Sequence, residues 1–166
     1  MTRWSLPSGV ECLVINTGPL ISLGRAGALD IIEQLPIRIL APQEVAQEIE
    51  AGERTGLPVV MPSWVEVLVL ATPVAPVARY LLDLGEAAVI QLALEQGVTT
   101  VCIDEWRGRR AAKAVGLTIT GSLGLLGRAK HFGILSEVRP WVERLVAVGA
   151  YYDSDLLRKF LGALGE

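Results

Sequence analysis

Apolar residues fall in short unbroken runs separated by turn residues, and the first such run is Glu11-Cys-Leu-Val-Ile-Asn16. A segment apolar at every position suits a strand buried on both faces of a parallel sheet, whereas a strand with one wet face alternates. The run stops at Asn16-Thr-Gly-Pro19, where capping side chains and a proline predict a helix start. The pattern then predicts a helical segment over 20–34, interrupted near Gly24–Gly27, and a short strand over 37–40. Pro42 opens a helix that Gly52 is expected to close near residue 51, and 52–58 is a polar turn.

Residues 64–70 alternate like a strand, which Pro73 and Pro76 cut short. Helices over 77–84 and 87–96 come next, then a buried-type strand over 99–103, a basic helix over 105–115 and a strand over 117–120. Three further helices fit 123–130, 136–148 and 154–163. Strands alternating with helices predict an α/β fold with an open, mostly parallel sheet covered on both sides. At 166 residues, the chain has the length of one domain, taken as 1–166.

Composition narrows the class. With 51% apolar and 20% charged residues, the chain is too hydrophobic for disorder. Its longest uncharged stretches, such as 114–127 with 67–78 close behind, are too short to span a bilayer and carry Pro or Gly, so no membrane span is expected. The early Arg3 is followed by no adequate apolar core for a signal peptide, and the expected location is cytoplasmic. Two cysteines, Cys12 and Cys102, sit in apolar runs and read as reduced core thiols. The single histidine, His131, precedes Gly133 at a helix C-terminus, which suits the helix dipole and leaves little zinc chemistry.

The net charge of −3 is no general nucleic-acid footprint, but its distribution is uneven. Residues 104–130 carry a net +4 through Arg107, Arg109, Arg110, Lys113, Arg128 and Lys130, which leaves −7 on the rest. A local basic patch on an acidic protein is compatible with one polyanion held at one place.

In open α/β sheets, ligands bind beyond the carboxyl ends of the strands. Asn16 ends the first strand and Asp104 the one at 99–103, so neighbouring strands would bring them into one cleft. Glu86 opens a helix on the same edge, while Glu48 follows Glu44 by one helical turn. Each has a plainer explanation as a helix cap, a dipole partner or a solvated face. Phosphate-cradling and nucleophile-elbow motifs are missing, and the short Gly121-Ser-Leu-Gly124 lacks a lysine. Carboxylate chemistry remains, of the kind that holds Mg²⁺ or Mn²⁺ through one or two acids, waters and substrate phosphates.

Four motifs in order resemble the PIN domain, the nuclease fold of VapC-type toxins, over roughly residues 10–164. They are Val14-Ile-Asn16-Thr-Gly-Pro-Leu-Ile-Ser-Leu23, Ala41-Pro-Gln-Glu-Val-Ala-Gln-Glu48-Ile, Leu84-Gly-Glu86-Ala-Ala-Val-Ile-Gln-Leu-Ala, and Ile103-Asp104-Glu105-x-x-Gly-Arg109-x-Ala-Ala with Thr120-Gly-Ser122-Leu-Gly after it. The nearest match is an uncharacterised prokaryotic PIN-like subgroup. The resemblance implies a three-layer α/β/α sandwich and a metal-dependent ribonuclease, either the toxin of a toxin–antitoxin pair or an RNA-processing enzyme. It implies Mg²⁺ or Mn²⁺ held by Asn16, Glu48, Glu86 and Asp104. Glu48, Glu86, Asp104 and Ser122 carry catalysis in this reading, and Arg107 and Arg109 hold RNA phosphates.

The implied partners are single-stranded RNA, a small antitoxin protein and a second copy of the chain. The family usually has Asp where this chain has Asn16, so one negative charge is lost and metal affinity should fall. Glu105 compensates only if its helix turns it inward. The alternative is a catalytically weakened module that binds RNA or protein without cutting. A phosphoacceptor receiver domain would need an acid cluster after the first strand, which Asn16-Thr-Gly-Pro does not supply.

Overall fold

The computed structural model describes residues 11–166. The start of the single-domain span and Arg3, which entered the signal-peptide reading, lie outside them. In chain order the elements are β1 (Glu11–Ile15), α1 (Thr17–Arg25), α2 (Leu29–Glu33), β2 (Ile37–Pro42), α3 (Gln43–Arg54), β3 (Glu66–Leu68) and α4 (Pro76–Leu81). They continue with α5 (Leu84–Gln96), β4 (Thr100–Cys102), α6 (Trp106–Ala114), β5 (Thr118–Thr120), α7 (Ser122–His131), α8 (Arg139–Ala147) and α9 (Ser154–Ala163).

The five strands form one parallel sheet in the order β3-β2-β1-β4-β5. Consecutive strand residues point to opposite faces, and Leu13, Val14 and Ile15 are all fully buried, so helices cover both faces of β1. This is the expected α/β sandwich. Helix α5 lies across β1, β2 and β4 and is buried nearly all round, from Gly85 to Ala93 except at Gln91. Truncating Leu13, Ile15 or Leu40 to alanine would cost about 2–5 kcal/mol by the usual cavity penalty. Both cysteines are buried free thiols, and His131 closes α7 just before Gly133, as the sequence suggests.

Several boundaries differ from the sequence pattern. Gly52 does not end α3, which runs on to Arg54. The bare Cα of Gly52 lies under Leu57, and the left-handed turn falls at Gly56 with φ +92°. The stretch 64–70 yields only Glu66–Leu68, an edge strand paired solely with β2. The helix expected over 77–84 stops at Leu81, because Leu82 and Asp83 turn extended and Asp83 caps the next helix.

The helix expected from 136 begins at Arg139. Its first amides are capped by the carboxylate of Glu166, which accepts from Val138 N and Arg139 N at 2.8 Å each. Trp106 is 65% exposed, with the Arg110 guanidinium 5.8 Å from its ring centroid.

Candidate functional site

Strand order reverses between β1 and β4, and there two consecutive strand ends diverge from a shared crevice. The Asn16 amide nitrogen donates to Cys102 O at 3.0 Å, which fixes it at the carboxyl end of both strands. Asn16 is the N-cap of α1, yet its side chain makes no capping hydrogen bond. Its Oδ1 is buried without a partner.

Glu48 projects from the middle of α3. Its carboxylate accepts from Thr17 Oγ1 at 2.5 Å, which ties α3 to the first turn of α1. It also lies against Gly85, where an added Cβ would meet its two oxygens at 2.7 and 2.8 Å. Glu86 stands next door, in the first turn of α5. Asp83 Oδ1 accepts from Glu86 N at 2.7 Å, and Glu86 Oε2 faces Asp83 N at 3.4 Å, a reciprocal capping box.

The other Glu86 oxygen, Oε1, is buried without a partner, in a residue only 2% exposed. It is pressed against Gly108 of α6, where a Cβ would come within 2.9 Å. Burial raises the Glu86 pKa above the ordinary carboxylate value, and the charges of Asp83 and Glu105 raise it further. Asp83, Glu86 and Glu105 each bring an oxygen within 4.8 Å of the others. Glu105, exposed at the N-cap of α6, thus comes within reach of Glu86.

Asp104, just beyond β4, is held by α7. Its Oδ1 accepts from Ser122 N at 2.8 Å and its Oδ2 from Ser122 Oγ at 2.5 Å. Ser122 is fully buried and its hydroxyl is committed to Asp104, so it positions that carboxylate and does not face a phosphate itself. Gly121 is needed for this approach, since a Cβ there would sit 2.6 Å from Asp104 Oδ1. Arg109 Nη1 donates to Ile103 O at 2.7 Å and Thr120 O at 3.2 Å, pinning the ends of β4 and β5. Arg107 is exposed on α6.

Of the seven chosen residues, four fall in linked sets: Glu48 with Thr17 and Gly85, Glu86 with Asp83 and Glu105, and Asp104 with Ser122. Asn16 lies just past the end of β1 as the N-cap of α1, Arg109 is tethered to the backbone of Ile103 and Thr120, and Arg107 is exposed. Asp83 was not singled out from the sequence. Its signal was the Asp83-x-x-Glu86 spacing, a helix-start signature that also gathers two carboxylates. Thr17 and the glycines at 85, 108 and 121 carry no signal alone, because their role is to leave room for acids distant in sequence.

The residues fit a hard divalent cation. Of three buried side-chain oxygens without partners among the described residues, Glu44 Oε2 lies on α3, Asn16 Oδ1 ends β1, and Glu86 Oε1 belongs to the cluster with Asp83 and Glu105. A buried acceptor left unsatisfied costs about 1–3 kcal/mol, and oxygen donors of this type are those Mg²⁺ and Mn²⁺ take. Among the described residues no helix is long and apolar enough to cross a membrane. The family model described as a PIN domain matches residues 12–166, and no curated protein matches the chain.

Proposed function

This chain belongs to the PIN-domain family, a nuclease-type module, and from that premise we propose that it is a metal-dependent endoribonuclease acting on single-stranded RNA. PIN domains generally use divalent metal ions, and PIN nucleases typically bind RNA. The observation that carries the reading is the buried, unpartnered Glu86 Oε1 beside the carboxylates of Asp83 and Glu105, with Asn16 Oδ1 likewise buried and unpartnered at the end of β1. In this reading Asn16, Glu86, Glu105 and Asp104 hold Mg²⁺ or Mn²⁺, and Asp83 adds charge to the set. The bound cation would supply charge stabilisation on the scissile phosphate and a water acidic enough to attack it at neutral pH.

The chain's own residues do the positioning. Ser122 clamps both oxygens of Asp104 and so fixes which lone pairs face the cleft. Thr17 fixes Glu48 in the same way, which leaves one Glu48 oxygen to take a proton or orient a water. Arg107 meets RNA phosphates from the exposed face of α6, while Arg109 holds the floor of the site through Ile103 and Thr120.

The biological setting that fits is a cytoplasmic toxin or RNA-processing enzyme, working as a homodimer and held in check by a small antitoxin protein. The exposed Val77, Tyr80 and Leu81 of α4 support a partner-covered surface. Asn16 favours a second reading, an RNA-binding module that does not cut, because its amide brings oxygen without charge. Purified protein incubated with a single-stranded RNA pool and Mn²⁺, Mg²⁺ or EDTA, alongside Asp104→Ala, separates the two. Metal-dependent cleavage that the variant abolishes supports the nuclease, whereas binding without cleavage supports the second reading.

A further inference from the structure

A cleft of about 540 Å³ opens beside Asp104 and Glu105, between the start of α7, the link from α8 to α9, and α9 itself. Its size is that of a small-molecule site. Its lining is mixed, with charged and polar walls from Asp104, Glu105, Arg109 and Thr120 and apolar walls from Leu123, Leu156 and Phe160 among others. Tyr151 and Tyr152 stand on the α8–α9 link and also line it. Tyr151 is 91% exposed, while Tyr152 turns inward, its hydroxyl pKa pushed up by burial and then by the Asp104 charge.

The occupant of this space must satisfy both walls. A phosphate would face two carboxylates with Arg109 already committed to two backbone carbonyls, so anions are poorly matched here. A simple aliphatic group would strand the polar wall. A flat, uncharged heterocycle with hydrogen-bonding edges matches both, and an exposed tyrosine at the rim is the surface on which such rings stack. Resting on the nuclease reading above, we propose that this cleft seats one unpaired nucleobase of the RNA, stacked on Tyr151, next to the phosphodiester held by the acids. A base inside a duplex has no free face to offer, so the cleft selects single strands.

The test compares a short single-stranded oligoribonucleotide with an abasic ribose-phosphate oligomer of equal length, each fluorescently labelled, with Mn²⁺ and with EDTA. Cleavage of the RNA pool is followed in parallel. The base-bearing oligomer should bind about 5–150-fold more tightly, as one stacked base provides. Tyr151→Ala should bring it to the abasic level and Tyr151→Phe should restore it. Phe132→Ala, an exposed ring outside the cleft, should leave binding unchanged.

Equal binding of the two oligomers, or no binding of either while Asp104-dependent cleavage persists, overturns the base site and leaves the nuclease intact. Tyr151→Ala that spares RNA binding but alters self-association on sizing overturns it in favour of a protein-facing cleft. Loss of both cleavage and binding in the wild-type protein overturns the nuclease reading as well.

Discussion

Glu86 and Glu166 are two carboxylates packed into the same small protein under opposite conditions. Glu166 is satisfied on every side: Lys130 Nζ donates to it at 2.6 Å, and two amides at the start of α8 donate at 2.8 Å. These bonds hold its pKa down at about 2. Glu86 has neighbours of its own sign and one oxygen with no partner, and its pKa is raised. The first acid is part of what closes the fold, since it starts a helix and ties the last residues to α7 and α8. The second is an unfavourable charge that the surrounding core tolerates, and such groups cluster where a ligand completes them.

The largest expected effect tests the acidic edge directly. Asp104→Ala should lower metal-dependent RNA cleavage by more than the ~10–100-fold typical of residues that only orient a ligand. Circular dichroism should report an intact fold, and an effect under tenfold would argue that Asp104 is a helix cap and no more. Ser122→Ala should fall within that ~10–100-fold range, because it loosens Asp104 without removing it.

The contrast between the two glutamates should appear as opposite signs in stability. With EDTA present, Glu86→Gln is expected to raise stability by about 1 kcal/mol, through removal of a buried charge that lacks a counter-charge. Glu166→Gln should lower it by about 1–2 kcal/mol through weakened charge-assisted bonds. Urea titrations of both variants check this, and equal signs would break the comparison. Added Mn²⁺ should stabilise the wild type more than Glu86→Gln, since only binding to the native state shifts the midpoint.

Gly85→Ala separates folding from function at one position. The added Cβ meets the mobile end of Glu48, so the expected stability change is within about 1 kcal/mol and helix propensity favours alanine. Cleavage should fall about tenfold as Glu48 is displaced. The smallest effect is a pH dependence at Glu166. Its folded pKa lies below the ordinary value of 4.5, so its contribution is full above that value and fades as pH falls towards about 2. Acid titrations of wild type and Glu166→Gln should therefore converge over that interval.

Legibility from sequence followed the range of the interaction involved. The strand at 11–15 was readable because burial on both faces demands an unbroken apolar run, and Asn16 and Asp104 were readable as the polar residues that end it and the strand at 99–103. Glu86 was found by its motif. Its partner Asp83 is local and marked by the Asp83-x-x-Glu86 spacing, whereas Glu105 meets it through the packing of α5 on α6, which no local pattern reports. The α8 start at Arg139 depended on Glu166, a residue at the far end of the chain, and so appeared three residues too early in the pattern.

The sequence by itself determined the parallel α/β sheet and which polar residues end its strands, since hydrophobic period and turn chemistry act over a few residues. Only the tertiary structure decided that Ser122 clamps Asp104, that Arg109 is tied to Ile103 and Thr120, and that bare glycines at 85, 108 and 121 admit three carboxylates. Those outcomes depend on contacts between separate elements, and such contacts exist only once the helices have packed on the sheet.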